Sequence, residues 1–106
     1  TGGSHGTRTR DFILDRREPG TLLQAARVSD SGSGRIMEVW TTEPAVQLYT
    51  SPLAGPTAAA PNGFYCLETQ HFPDAVNHPH FPSTILRPGQ TFHSTTEFRF
   101  LVAKAK

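Results

Sequence analysis

A single cysteine, Cys66, occurs in the 106 residues, so the chain forms no internal disulfide, and a lone thiol fits a reducing compartment. No apolar run approaches the roughly 20 residues that a membrane-spanning helix needs, and no signal-peptide pattern opens the sequence. Charge of one sign is also missing: ten Lys and Arg against nine Asp and Glu leave a formal +1. Arg8, Arg10, Arg16 and Arg17 are interrupted by acids, so they make no dense basic footprint for nucleic acid. There is no internal repeat, heptad, P-loop or Gly-rich phosphate motif. Hydrophobic residues reach only 36%, which is little for a self-sufficient core in so short a chain. The expectation from these features is a cytoplasmic protein with neither nucleic acid nor membrane as partner.

What is present is turn chemistry and β-prone runs. Nine Gly and nine Pro imply many turns and little helix. Residues 1–10 read as a flexible segment in which Gly3-Ser4-His5 resembles a cloning scar, so His5 is set aside. Residues 11–15 form a short apolar burst, expected as an edge strand. Residues 22–28 (LLQAARV) have helical propensity but no cap, and their neighbours favour a strand. A Gly/Ser loop follows, then the β-branched and aromatic run 35–42 (RIMEVWTT), and the pair predicts a β-hairpin. Glu43-Pro44 interrupts the ladder. Residues 45–50 (AVQLYT) alternate, with Val46 and Leu48 on one face and Gln47 and Tyr49 on the other.

Residues 51–62 are an uncharged loop. It leads into 63–70 (GFYCLETQ), where Phe64, Cys66 and Glu68 share one face and Tyr65 and Leu67 the other. Residues 71–82 are irregular, 83–86 are expected as a short strand, and Arg87-Pro88-Gly89-Gln90 carries the Pro-Gly pair of a type II turn. Residues 91–102 make the longest alternating run, with Phe92, Phe98 and Phe100 assigned to the core. Six or seven short strands at regular spacing predict an all-β, antiparallel β-sandwich.

Several side chains carry chemical interest. Glu68 lies at the end of an apolar run, which is how all-β enzymes commonly present a general base; the plainer alternative is a surface acid at a strand end. Asp74 offers Glu68 a second carboxylate, as in glycosidases, although a loop Asp capping local backbone amides is the reading taken. His71, His78 and His80 resemble a metal cluster. The His-Pro-His spacing splays the rings, however, and no carboxylate or Cys sits at ligand spacing, so no metal is assigned. Cys66 shares the face of Glu68 without an evident base and is read as a small buried apolar residue. Core packing is also the reading for Tyr49 and Phe72, with stacking on a ligand ring as the alternative.

Three blocks recur together with informative spacing: 63–70 with its CLETQ core, Pro73-Asp74-Ala75-Val76-Asn77, and Leu86-Arg87-Pro88-Gly89. Residues 34–44 (GRIMEVWTTEP), 46–50 (VQLYT) and Phe81-Pro82 accompany them. From about residue 22 to 102 the chain resembles the C-terminal third of the galactose mutarotases (aldose 1-epimerases). The resemblance implies that residues 11–106 are the C-terminal part of a larger β-sandwich. It also implies interconversion of the α and β anomers of a free aldohexose such as glucose or galactose, without metal or organic cofactor. In that chemistry a base takes the anomeric hydroxyl proton while an acid protonates the ring oxygen. The ring opens to the aldehyde, the C1–C2 bond rotates, and the ring closes on the other face.

By the same resemblance Glu68 is the general base, expected in a partly buried site, and Gln47 hydrogen-bonds sugar hydroxyls. The family also carries an Asp a few residues ahead of a Phe. Aligning that Phe with Phe12 puts Thr9 at the Asp position, and Asp11 is the carboxylate nearest to it; an odd step would turn it to the other face of a strand. The family's general-acid His, with a further Arg and His, belongs to a segment these residues do not contain. Two expectations follow. The apolar face should pair with the missing N-terminal segment of the same protein or with a second copy. The alternative to an enzyme is a non-catalytic carbohydrate-binding β-sandwich or an inactive fragment.

Overall fold

The structure is a computed structural model that describes residues 8–15, 18–51 and 63–104. The expectations for residues 1–7 and 52–62 lie outside the described residues. Six strands are formed: β1 (Arg8–Ile13), β2 (Leu23–Ser29), β3 (Arg35–Thr41), β4 (Ala45–Ser51), β5 (Phe64–Gln70) and β6 (Thr96–Val102). A single 3-10 turn, Ala75–Asn77, is the helical element among the described residues, and no helix is long and apolar enough to cross a membrane. The strands make two antiparallel three-stranded sheets, ordered β1-β4-β5 and β2-β3-β6. This is the all-β sandwich architecture that the strand spacing predicts.

The β2–β3 hairpin forms where expected. Its loop is held by Asp30, whose carboxylate accepts from the Gly32 and Ser33 backbone N–H groups and from Ser33 Oγ. Those bonds, led by the Ser33 hydroxyl, hold the Asp30 carboxyl below its ordinary value of 3.8. Gly34 closes the loop at φ 74°, a left-handed conformation that only glycine takes without a Cβ penalty. The Pro88-Gly89 turn is likewise present: Gly89 sits at φ 84° and Gln90 N donates to the Arg87 carbonyl at 3.0 Å.

Pleat and register assign the faces. Opposite residues in a ladder share a side, so Phe12, Val46, Leu48, Tyr65, Leu67 and Thr69 form one face of the first sheet. Leu23, Ala26, Val28, Met37, Val39, Thr41 and Thr96 form one face of the second. Residues from these two faces line a common cleft of about 740 Å³, and Thr69 Oγ1 meets Thr96 Oγ1 at 2.8 Å across the sheets. These are therefore the inner faces. A bulge at Ala25 in β2 keeps both Leu23 and Ala26 on the inner side despite their odd spacing.

The core between the sheets is thin. Val39 and Val46 are buried, whereas inner-face Phe98 and Phe100 are 52% and 75% exposed. Phe92 is exposed as well. The assignment of these three phenylalanines to the core is thus corrected: β6 is an edge strand whose inner side is largely open beyond the Thr69–Thr96 contact, and Phe92 lies ahead of it outside any strand. The Cα radius of gyration, 17.3 Å, exceeds the ~13 Å of a compact domain of this length.

Two strand expectations also change. Residues 83–86 form no strand and have no ladder partner among the described residues. The run expected from Thr91 pairs only from Thr96. Thr42 N donates to the Thr95 carbonyl and Thr95 N to Thr42 Oγ1, after which β3 gives way to the Glu43-Pro44 connection and no backbone remains to pair with 91–94.

Candidate active site

The outer face of the first sheet carries the candidate residues. β1 pairs with β4 so that Asp11 opposes Gln47, and β4 pairs with β5 so that Gln47 opposes Glu68. All three therefore lie in one row across three adjacent strands. Thr9 and Asp11 are two residues apart, an even step, so both take this face; Thr9 opposes Tyr49. The two-residue period of a strand therefore puts Asp11 on the same side as Gln47 and Glu68.

Side-chain amides join the row. Gln47 Nε2 donates to Glu68 Oε2 at 2.7 Å, and Gln70 Nε2 donates to Asp11 Oδ1 at 2.9 Å and to Gln47 Oε1 at 3.4 Å. Gln70 is two residues past Glu68 and shares its face. Its register partner is Ala45, whose small buried side chain leaves the amide free to lean toward Gln47 and Asp11. Among the described residues neither Asp11 nor Glu68 enters an ion pair; their recorded polar partners are neutral amides. The surface is thus a run of carboxylate and amide groups able to accept and donate to a polyhydroxylated ligand.

Glu68 is exposed and not partly buried as expected. The reason is position: β5 is an edge strand, and on this face burial falls on Ala45 and Ser51 of the central strand β4. It also lies two residues inside the end of β5 rather than at its terminus. Cys66, expected buried, is half-buried on the same face, opposite Tyr49. Tyr49 packs its ring against Phe64 with centroids 5.9 Å apart, which puts an aromatic pair beside the polar row.

Past β5 the chain is anchored by side-chain contacts. His71 Nδ1 lies 2.7 Å from Oε2 of the buried Glu43, tying the end of β5 to the β3–β4 connection. Asp74 adopts a left-handed backbone at φ 60° and opens the 3-10 turn. Its carboxylate takes the side chains of Asn77 and His78 rather than the backbone amides expected, the His78 contact being 3.2 Å. His78 and His80 stand nearly perpendicular, and Phe81 packs against both rings and Phe72. Among the described residues no three His, Cys, Asp or Glu side chains converge as a metal site.

Reading the sequence did not single out Gln70 or the Glu43–His71 pair. Gln70 could have been found from its even spacing to Glu68 together with the register. The Glu43–His71 contact joins separate segments and has no local signature.

Comparison with known proteins bears on the family of the chain. The aldose 1-epimerase family profile matches residues 6–99. Human galactose mutarotase is 48% identical over 112 aligned residues, which cover 92% of this chain and 33% of that protein. The Bos taurus galactose mutarotase is 48% identical over 85 residues, or 74% of this chain and 25% of its own length. An aldose 1-epimerase of Escherichia coli (strain K12) is 33% identical over 98 residues, covering 85% of this chain and 28% of the relative. The chain thus spans about a quarter to a third of the length of these relatives. On the profile match and these identities, the chain belongs to the aldose 1-epimerase family.

Proposed function

We propose that this chain supplies the base side of a mutarotation site for a free aldohexose, with Glu68 as general base and Gln47 and Asp11 as sugar-binding groups. One observation carries the reading: the cross-strand row Asp11–Gln47–Glu68, closed by the 2.7 Å bond from Gln47 to Glu68, in a chain of this family. Gln47 occupies one carboxylate oxygen of Glu68, and the other oxygen takes the proton of the anomeric hydroxyl. As that proton leaves, the C1–O5 bond breaks, a donor on the opposite side of the ring protonates O5, and the open-chain aldehyde forms. Rotation about C1–C2 and the reverse transfers give the other anomer. No net redox change occurs and no cofactor is consumed. Asp11 and the second N–H of Gln47 hold ring hydroxyls, so that the anomeric carbon stays over Glu68 through opening and closure.

The proton donor belongs to the part of the family's length that these residues do not span. The exposed inner face of β6 and the cleft between the sheets are the surfaces on which that part of the same protein would pack.

The test is polarimetry of α-D-galactose and α-D-glucose. The 106-residue chain alone is expected to match the buffer blank. A hybrid that joins it behind the N-terminal two thirds of human galactose mutarotase is expected to accelerate the approach to equilibrium, and Glu68→Gln is expected to remove most of that acceleration. A hybrid whose rate is unchanged by Glu68→Gln would take the base role away from Glu68.

A further inference from the structure

We infer that Gln70 is a positioning residue: it fixes the polarity of the Gln47 amide so that Gln47 donates to Glu68. This rests on the reading of Glu68 as the base for its catalytic consequence, but the geometry stands without it.

The argument begins at Asp11. An ionised carboxylate only accepts hydrogen bonds, so the group facing Asp11 Oδ1 at 2.9 Å must be the NH2 end of Gln70. The same NH2 end reaches toward Gln47 at 3.4 Å and therefore selects the carbonyl end of that amide, Oε1. With Oε1 committed there, Nε2 of Gln47 is directed to Glu68 Oε2, 2.7 Å away. Reversing Gln47 would set oxygen against the Glu68 carboxylate and NH2 against the NH2 of Gln70. Both contacts would fail together. The run from Asp11 through two amides to Glu68 thus has a single consistent polarity: Glu68 accepts from the NH2 end of Gln47, and Gln70, set by Asp11, holds the carbonyl end.

Gln70 need not touch the sugar to matter. A correctly turned Gln47 engages one oxygen of Glu68 and leaves the other for the substrate proton. An unturned Gln47 faces the carboxylate with its own lone pairs and loses the donor that orients the base.

The experiment reads the Gln47 side-chain amide by ¹⁵N–¹H NMR in the 106-residue chain while Glu68 is titrated. In the native chain one Gln47 Nε2 proton is expected downfield when Glu68 is ionised, returning upfield as Glu68 is protonated. Gln70→Met, of similar length without donors, is expected to reduce that response by more than half while the β4 and β5 backbone peaks stay in place. Gln70→Glu offers only acceptors and is expected to draw Gln47 Nε2 away from Glu68, removing the response. An unaltered Gln47 response in either variant would overturn the proposal.

In the active hybrid, Gln70→Met is expected to lower kcat by about tenfold with KM nearly unchanged, part of the 10²–10⁴ that a general base contributes. A KM rise with kcat preserved would instead make Gln70 a sugar ligand and overturn the positioning role. If activity proves independent of Glu68 while the NMR response behaves as described, the base reading falls and the polarity assignment survives.

Discussion

The two sheets have the same strand number and pairing sense, yet their outer faces treat charge in opposite ways. On the β2-β3-β6 sheet each acid meets a cation. Arg27 lies 3.7 Å from Glu38, Arg99 places Nε and Nη2 at 3.1 and 2.9 Å from Glu97, and the Arg99 guanidinium sits 4.1 Å above the Trp40 ring. Trp40 Nε1 adds a 2.9 Å bond to Glu38. On the β1-β4-β5 sheet the acids Asp11 and Glu68 are bridged by the amides of Gln47 and Gln70. A carboxylate matched by an arginine is neutralised by its own protein and has little left to offer. A carboxylate held only by amides keeps its charge and its free oxygen for something else. The pairing pattern separates a face whose acids are matched by cations from one whose acids are held by amides, the face on which the proposed chemistry rests.

The widest gap between the faces should appear in catalysis. In the hybrid described above, Glu68→Gln is expected to lower kcat/KM by about 10²–10⁴, the range for loss of a general base. Glu97→Gln, an equally conservative change on the other face, is expected to stay within about twofold. Comparable losses from both would erase the distinction. Gln47→Leu should come next. On the proposed reading it removes a sugar donor as well as the partner of Glu68, and a loss of about 1–3 kcal/mol, or roughly 5- to 150-fold in kcat/KM, is expected from leaving buried polar groups of the bound complex unpaired.

The origin of these contrasts was partly written in the sequence. The strands were readable because alternation is local: 45–51 and 64–70 show it directly, and the row Gln47–Glu68 follows once they pair. Residues 22–28 have helical propensity, and only their neighbours favour a strand; the bulge at Ala25, which keeps Leu23 and Ala26 on one side, leaves no strict alternation to read there. The alternation from Thr91 is real, but a strand also needs a neighbour, and β3 ends before it. Phe98 and Phe100 were legible as apolar-face residues and not as exposed ones, since exposure depends on what covers a strand. Asp11 needed the register with Gln47, and Gln70 needed the amide network; both are properties of three strands together and of no single segment.

A smaller effect concerns what the paired face does contribute. Arg99→Ala removes the Glu97 pair and the contact over Trp40. Because Arg99 and Glu97 are each about half exposed, at 45% by side chain, water and salt screen the pair. Urea denaturation is expected to register a loss of only about 0.5–1 kcal/mol, diminishing in 1 M salt. A loss several times larger, or one insensitive to salt, would mean that these charges are structural to a degree their exposure does not support.

The smallest effect lies at the tip of the β2–β3 hairpin, and it sharpens the same contrast with a third kind of carboxylate. Asp30 is satisfied by Ser33 Oγ and by the backbone N–H groups of Ser33 and Gly32, not by a cation lying against it or by a side-chain amide. These bonds favour the ionised form, led by the Ser33 hydroxyl, so the folded-state pKa lies below the unfolded 3.8. A depressed carboxyl stabilises the fold at pH values above its unfolded pKa, and that contribution disappears as pH falls through the folded value. The carboxyl resonance of Asp30 is therefore expected to titrate below 3.8, and Ser33→Ala, which deletes the leading donor, should move the midpoint upward toward that value. Since Asp30 is fully solvent-exposed, Asp30→Asn should change stability little at neutral pH and make it less sensitive to acid. A midpoint that Ser33→Ala leaves in place would assign the shift to the backbone amides of the turn instead of the hydroxyl.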